Sequence, residues 1–76
     1  MSKLISLIHD ITQLGVKLKF SDDFDGMVTL HYLCEGLDWR HHEHLGWPGC
    51  TRAQLEEKVV TSLESFLEDL QKRMAL

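Results

Sequence analysis

Apolar residues open the chain at Leu4, Ile8, Ile11 and Leu14, spaced by four, three and three, with Ile5 and Leu7 widening the stripe. That is the period of an amphipathic helix. Ser2 is suited to cap its start, and Gly15 stands where a left-handed stop belongs. The period then changes to two. Val16-Lys17-Leu18-Lys19-Phe20 alternates strictly and predicts a half-buried strand. Ser-Asp-Asp-Phe-Asp-Gly follows with turn chemistry, Asp25-Gly26 offering the positive-φ position. Val28, Leu30, Tyr32 and Cys34 then alternate with Thr29, His31 and Leu33, the return strand of a hairpin whose other face carries Lys17, Lys19, Thr29 and His31.

From Glu35 to Cys50 no clean period is present, and the stretch reads as a loop. Leu37 to His42 is a candidate third strand within it, because a two-stranded sheet is marginal by itself. The strongest helix signal comes next. Thr51 and Gln54 form a capping box, and Cys50 is placed to staple onto Leu55. Leu55, Val59, Leu63, Phe66, Leu70 and Met74 hold one stripe, flanked by Val60 and Leu67, while Glu68 with Lys72 and Asp69 with Arg73 are well-oriented pairs four apart. The predicted fold is a small single α+β domain over residues 1–76, in the order helix, β-hairpin, loop, long helix (αββα). Both helices cover one face of a short antiparallel sheet, the face bearing Val16, Leu18, Phe20, Val28, Leu30, Tyr32 and Cys34.

Length adds a constraint to this pattern. A helix over 51–74 would run about 36 Å, against about 18 Å for the first helix and about 20–25 Å for the strands. Phe66, Leu67, Leu70 and Met74 are therefore expected to extend beyond the rest of the domain and to form an oligomer interface. A 76-residue chain also holds only about 3–5 kcal/mol in its own core, which points the same way, toward a homodimer or higher oligomer.

Charge narrows the partners. The net charge is −4 with the five His neutral, and full protonation of those His would carry it to +1, so charge responds to pH near the reference histidine value of about 6.5. Basic residues are scattered in sequence, which argues against a protein that lives on nucleic-acid phosphates. Two Cys are too few for a disulfide scaffold and no run suits a membrane span or secretory signal, so the expected setting is cytoplasmic, with no membrane partner.

Candidate chemistry gathers between Trp39 and Cys50, where three His, both Trp and one Cys are concentrated. Trp39, Arg40, His41, His42, His44 and Trp47, helped by the acidic turn Asp22, Asp23 and Asp25, are the expected contacts of another protein. A second reading takes Lys17, Lys19, His31 and Arg40 as donors to an anionic small molecule. A zinc site from Cys34, His42, His44 and Cys50 is a weaker alternative, since the spacing matches no zinc pattern; otherwise no cofactor is expected. Ser21-x-Asp23-x-Asp25-Gly26 resembles the front of a calcium loop but has Tyr32 where a bidentate Glu is required. No nucleophile signature surrounds either Cys, so the expected function is a non-enzymatic protein that binds and modulates another protein, in the style of phage and mobile-element accessory proteins.

Overall fold

A computed structural model describes residues 3–22 and 27–75. Helix α1 (Lys3–Gln13) leads into strand β1 (Val16–Asp22), then β2 (Val28–Cys34), a single 3₁₀ turn over Glu35–Leu37, β3 (Trp39–Gly46) and helix α2 (Arg52–Ala75). The sheet is antiparallel in the order β1-β2-β3, with both helices on one face. The α+β class is as the sequence pattern predicts, with one element more than the αββα order. The expected loop is largely β3, which starts two residues later than the candidate strand and runs four residues further.

The punctuation is local chemistry. Gly15 takes φ +88°, and its N–H donates to Thr12 O at 3.1 Å, ending α1 immediately before β1. Between β2 and β3 the chain reverses through Asp38 at φ 49°, whose N–H donates to Glu35 O. Trp47-Pro48-Gly49-Cys50 has the arrangement of a type II turn: Cys50 N–H donates to Trp47 O, Pro48 is second and Gly49 has φ +88° third. The capping box forms as expected, Gln54 N–H donating to Thr51 Oγ1 at 3.1 Å and Thr51 N–H to Gln54 Oε1 at 2.8 Å. Ser2 and the Asp25-Gly26 turn lie outside the described residues.

α2 runs along β3 in the opposite direction. Its first turn meets the end of β3, where a Cβ on Gly46 would lie 3.2 Å from Leu55 Cδ1, and its last turns reach the start of β3, where Arg73 lies 3.8 Å over the Trp39 ring. Arg73, expected opposite Asp69, is thus committed to a cation–π contact, while the Glu68–Lys72 pair forms at 3.4 Å. α1 lies beside the second half of α2: Lys3 pairs with Glu64 at 2.9 Å, and Leu14 lines a small groove together with Met74.

This placement corrects the expected interface. Phe66 is 3% exposed and Leu70 0%, and Leu67 packs against the core; of the four residues only Met74, 54% exposed, is open. The distal half of α2 is covered within one chain because α1 lies along it and β3 widens the sheet beneath it. Phe66 stacks on Tyr32 at 3.9 Å and on Trp39 at 4.8 Å between ring centroids.

The core comprises Leu7, Ile11, Val16, Leu30, Tyr32, Cys34, Leu45, Val59, Leu63, Phe66 and Leu70. Phe20, expected on the inner face, is 48% exposed, because it lies toward the far end of an edge strand; its cross-strand partner Leu30, on the central strand, is fully buried. A β-bulge between Val28 and Thr29 shifts the pairing from Thr29↔His44 to Val28↔Gly46, and the unpaired Leu45 turns into the core. Inside, the Tyr32 hydroxyl and Ser62 Oγ share a 2.6 Å hydrogen bond, and among the described residues no buried side-chain polar atom lacks a partner.

Candidate functional site

Strand alternation decides what the 39–46 segment can do. Consecutive side chains of a strand leave opposite faces, so the residues that the sequence gathers into one surface are divided. Trp39 and His41 turn inward, where both rings lie against Phe66 and His41 bonds Glu43 at 3.0 Å. Arg40, His42 and His44 turn outward, to the face no helix covers. Trp47 follows the strand, 40% exposed, and Asp22 ends β1 opposite Val28; Asp23 and Asp25 lie outside the described residues. The expected protein-binding set is therefore not one patch.

The set assigned to an anionic ligand does come together. Cross-strand register places Lys17, Leu33 and Arg40 in one row of the open face, Lys19, His31 and His42 in the next, and Ser21, Thr29 and His44 in the third. Lys17, Lys19, His31 and Arg40, 23 residues apart in sequence at the extremes, thus share one surface with His42. They border a shallow depression of 710 Å³ whose lining, among the described residues, contains no acidic residue. Lys17 reaches Glu35 at its rim at 3.1 Å, a solvent-exposed contact, while Lys19 and Arg40 form no ion pair with any described residue.

The imidazoles are arranged rather than loose. His31 Nε2 and Ser21 Oγ share a hydrogen bond of 2.9 Å, and His44 Nδ1 and Thr29 Oγ1 one of 2.8 Å. The His42 ring centroid lies 6.0 Å from that of His31 and 5.8 Å from that of His44. With His neutral, Lys17, Lys19 and Arg40 against Glu35 leave this face at +2 among the described residues, on a chain of −4; each protonated imidazole adds one more charge. Much of the described negative charge lies elsewhere: Glu56, Glu57, Glu64, Glu68 and Asp69 are all exposed on α2.

Two other candidate sites do not assemble. Cys34 is buried on the inner face at the Trp39 end of the sheet, whereas His42 and His44 are on the outer face, so Cys34, His42, His44 and Cys50 do not converge on one ion. Among the described residues no cluster of three or more His, Cys, Asp or Glu is placed to hold a metal, and both Cys are free. Leu14, Gly15, Cys34, Gly36, Leu37 and Met74 line a smaller groove of 240 Å³ at one end of the molecule. Among the described residues the one strongly perturbed group is structural: burial pushes the Tyr32 phenol up to about 12, the Ser62 hydrogen bond opposing the rise and Glu43 adding to it.

No protein-family model, curated protein or solved structure matches this chain. Among the described residues no helix is long and apolar enough to cross a membrane.

The sequence does contain the signal for the third column of this face. Arg40, His42 and His44 alternate with Trp39, His41 and Glu43 at a period of two, and polar residues on both faces of an edge strand hide that period from a search for alternating apolar positions.

Proposed function

We propose that the chain is a non-enzymatic interaction module that binds another protein, and modulates it, through the helix-free face of its sheet, taking up an acidic surface of the partner. One observation carries this reading: on a net acidic chain, Lys17, Lys19 and Arg40 stand with His31, His42 and His44 on one helix-free face whose depression, among the described residues, has no acidic lining. A face that is merely solvated mixes both signs. Segregated charge instead steers an oppositely charged partner and fixes its orientation. The flatness of the site favours a macromolecule over the small anion, because small-molecule sites bury most of their ligand in a concave cleft.

Polyglutamate serves as a probe of defined chemistry. Its binding, followed by the fluorescence of the chain's two Trp, is compared between the triple variant Lys17→Glu/Lys19→Glu/Arg40→Glu and the control Arg52→Glu/Lys58→Glu/Lys72→Glu, which changes net charge equally on α2. The sheet variant loses at least about tenfold in affinity and the helix variant less than about threefold, because the attraction between cations and carboxylates is local to the binding face at physiological salt. Equal losses would show a non-specific charge effect and remove the basis of the proposal.

A further inference from the structure

Resting on the reading above, we infer that the element this face receives is an acidic amphipathic helix, laid along β2 with an apolar ridge on Leu33 and acidic side chains on both flanks. The argument is the width of the charge pattern. Cations stand in two columns, Lys17 and Lys19 on β1 and Arg40 on β3, with the half-buried Leu33 between them on β2. Adjacent strands are about 4.8 Å apart, so the columns are about 10 Å apart. That matches the 10–12 Å diameter of a helix with its side chains, whose flanking acids reach both columns while its underside meets the centre, to within about 2 Å.

An extended segment does not fit this pattern. Its downward side chains form a single line, which reaches one column, and strand addition uses a sheet edge rather than a face. Along the strands, Lys17 to Ser21 spans about 13 Å, equivalent to about nine residues of helix, so a guest of two to three turns covers all three rows. The chain covers its own inner face in the same manner, with α1 and α2 laid on the same three strands. At the third row, Thr29 is buried and hydrogen-bonded to His44, and no Lys or Arg stands in that row, so the acidic requirement ends there.

Two synthetic peptides of identical composition test this on the intact chain. One arranges Leu in a ridge flanked by Glu columns at helical spacing; in the other the same residues are scrambled so that no ridge forms. The expected result is that the patterned peptide binds at least about tenfold more tightly than the scrambled one, in keeping with one buried apolar contact added to the charge term. Leu33→Thr, which keeps a strand-forming residue, removes most of that difference, and Arg40→Ala weakens the patterned peptide. Equal affinity for the two peptides overturns the helical guest while leaving an acidic partner in place. Failure of both peptides and of polyglutamate overturns both proposals. A single-stranded oligonucleotide of equal charge binding more tightly than the patterned peptide, with steep salt dependence, also overturns both and assigns the face to nucleic acid.

Discussion

Replacing Phe66 with Ala removes the ring on which the α2–sheet contact is built. Phe66 is almost fully buried and stacks on Tyr32 with an interplanar angle of 12° and on Trp39 with one of 16°, so truncation leaves a void that two aromatic faces cannot easily close. A buried Phe→Ala change costs about 3–5 kcal/mol, of which each stacked pair accounts for about 0.5–1.5 kcal/mol. A chain of 76 residues has about 4–11 kcal/mol of total stability, so the variant loses about a quarter of it at the high end of that range and all of it at the low end. Phe66→Leu keeps most of the volume and loses only the stacking, and is expected to cost about 1–2 kcal/mol. Met74→Ala, at an exposed position on the same stripe, is expected to change stability by less than about 0.5 kcal/mol. The assay is urea unfolding followed by Trp fluorescence, at two protein concentrations tenfold apart. With a slope of about 1–1.5 kcal/mol/M, Phe66→Ala lowers the midpoint by about 2–5 M, and the wild-type midpoint does not depend on concentration through this residue. A Phe66→Ala cost under about 1 kcal/mol, or a wild-type midpoint that rises with concentration and ceases to do so in Phe66→Ala, would place Phe66 between subunits and refute the packing described here.

Other consequences follow from single contacts. Tyr32→Phe and Ser62→Ala each strand a buried hydroxyl and cost about 1–3 kcal/mol, whereas the double variant costs less than their sum, a coupling that chemical denaturation of the four chains measures. Because Tyr32 is the sole tyrosine, tyrosinate absorbance reports it directly: the folded chain ionises at about 12, the unfolded chain near the ordinary value of about 10. A folded value above the unfolded one means that this contribution is fully present below about pH 10 and is lost as pH rises from there through about 12, and Glu43→Gln lowers the folded value. Thr51→Ala opens the capping box and lowers stability by about 1 kcal/mol, read from the thermal midpoint. Gly49→Ala has open space for its methyl group, so its cost of about 1–2 kcal/mol in the same assay is that of a left-handed backbone alone.

How much of this was legible beforehand varied with the kind of signal. Period and capping chemistry are local, and they located α1, β1, β2, the Gly15 stop and the Thr51–Gln54 box. The strand β3 was obscured because it carries polar side chains on both faces: Arg40, His42 and His44 face solvent, while His41 and Glu43 satisfy each other on the helix side. Reading the stretch as a loop, with a candidate strand over Leu37 to His42 alone, had two consequences. It left the sheet too narrow to cover α2, which made Phe66 and Leu70 seem exposed. It also left Trp39 to Trp47 as one loop, which merged residues that the pleat sends to opposite faces. The cation face was half visible, since Lys17, Lys19 and His31 alternate within the predicted hairpin, but its third column required the register of β3 on β2. The course of α1 beside the second half of α2 depends on long-range packing, for which neither helix carries a local signal.

The most direct test of the open sheet face as the binding surface is an amide chemical-shift map of the isotope-labelled chain, titrated with the acidic patterned peptide. The account predicts that the perturbed amides cluster on Lys17, Lys19, His31, Leu33, Arg40 and His42, outward positions drawn from all three strands, and extend to Ser21 and His44 in the third row. Perturbations confined to Leu14, Leu37 and Met74, or to the exposed side of α2, would contradict it.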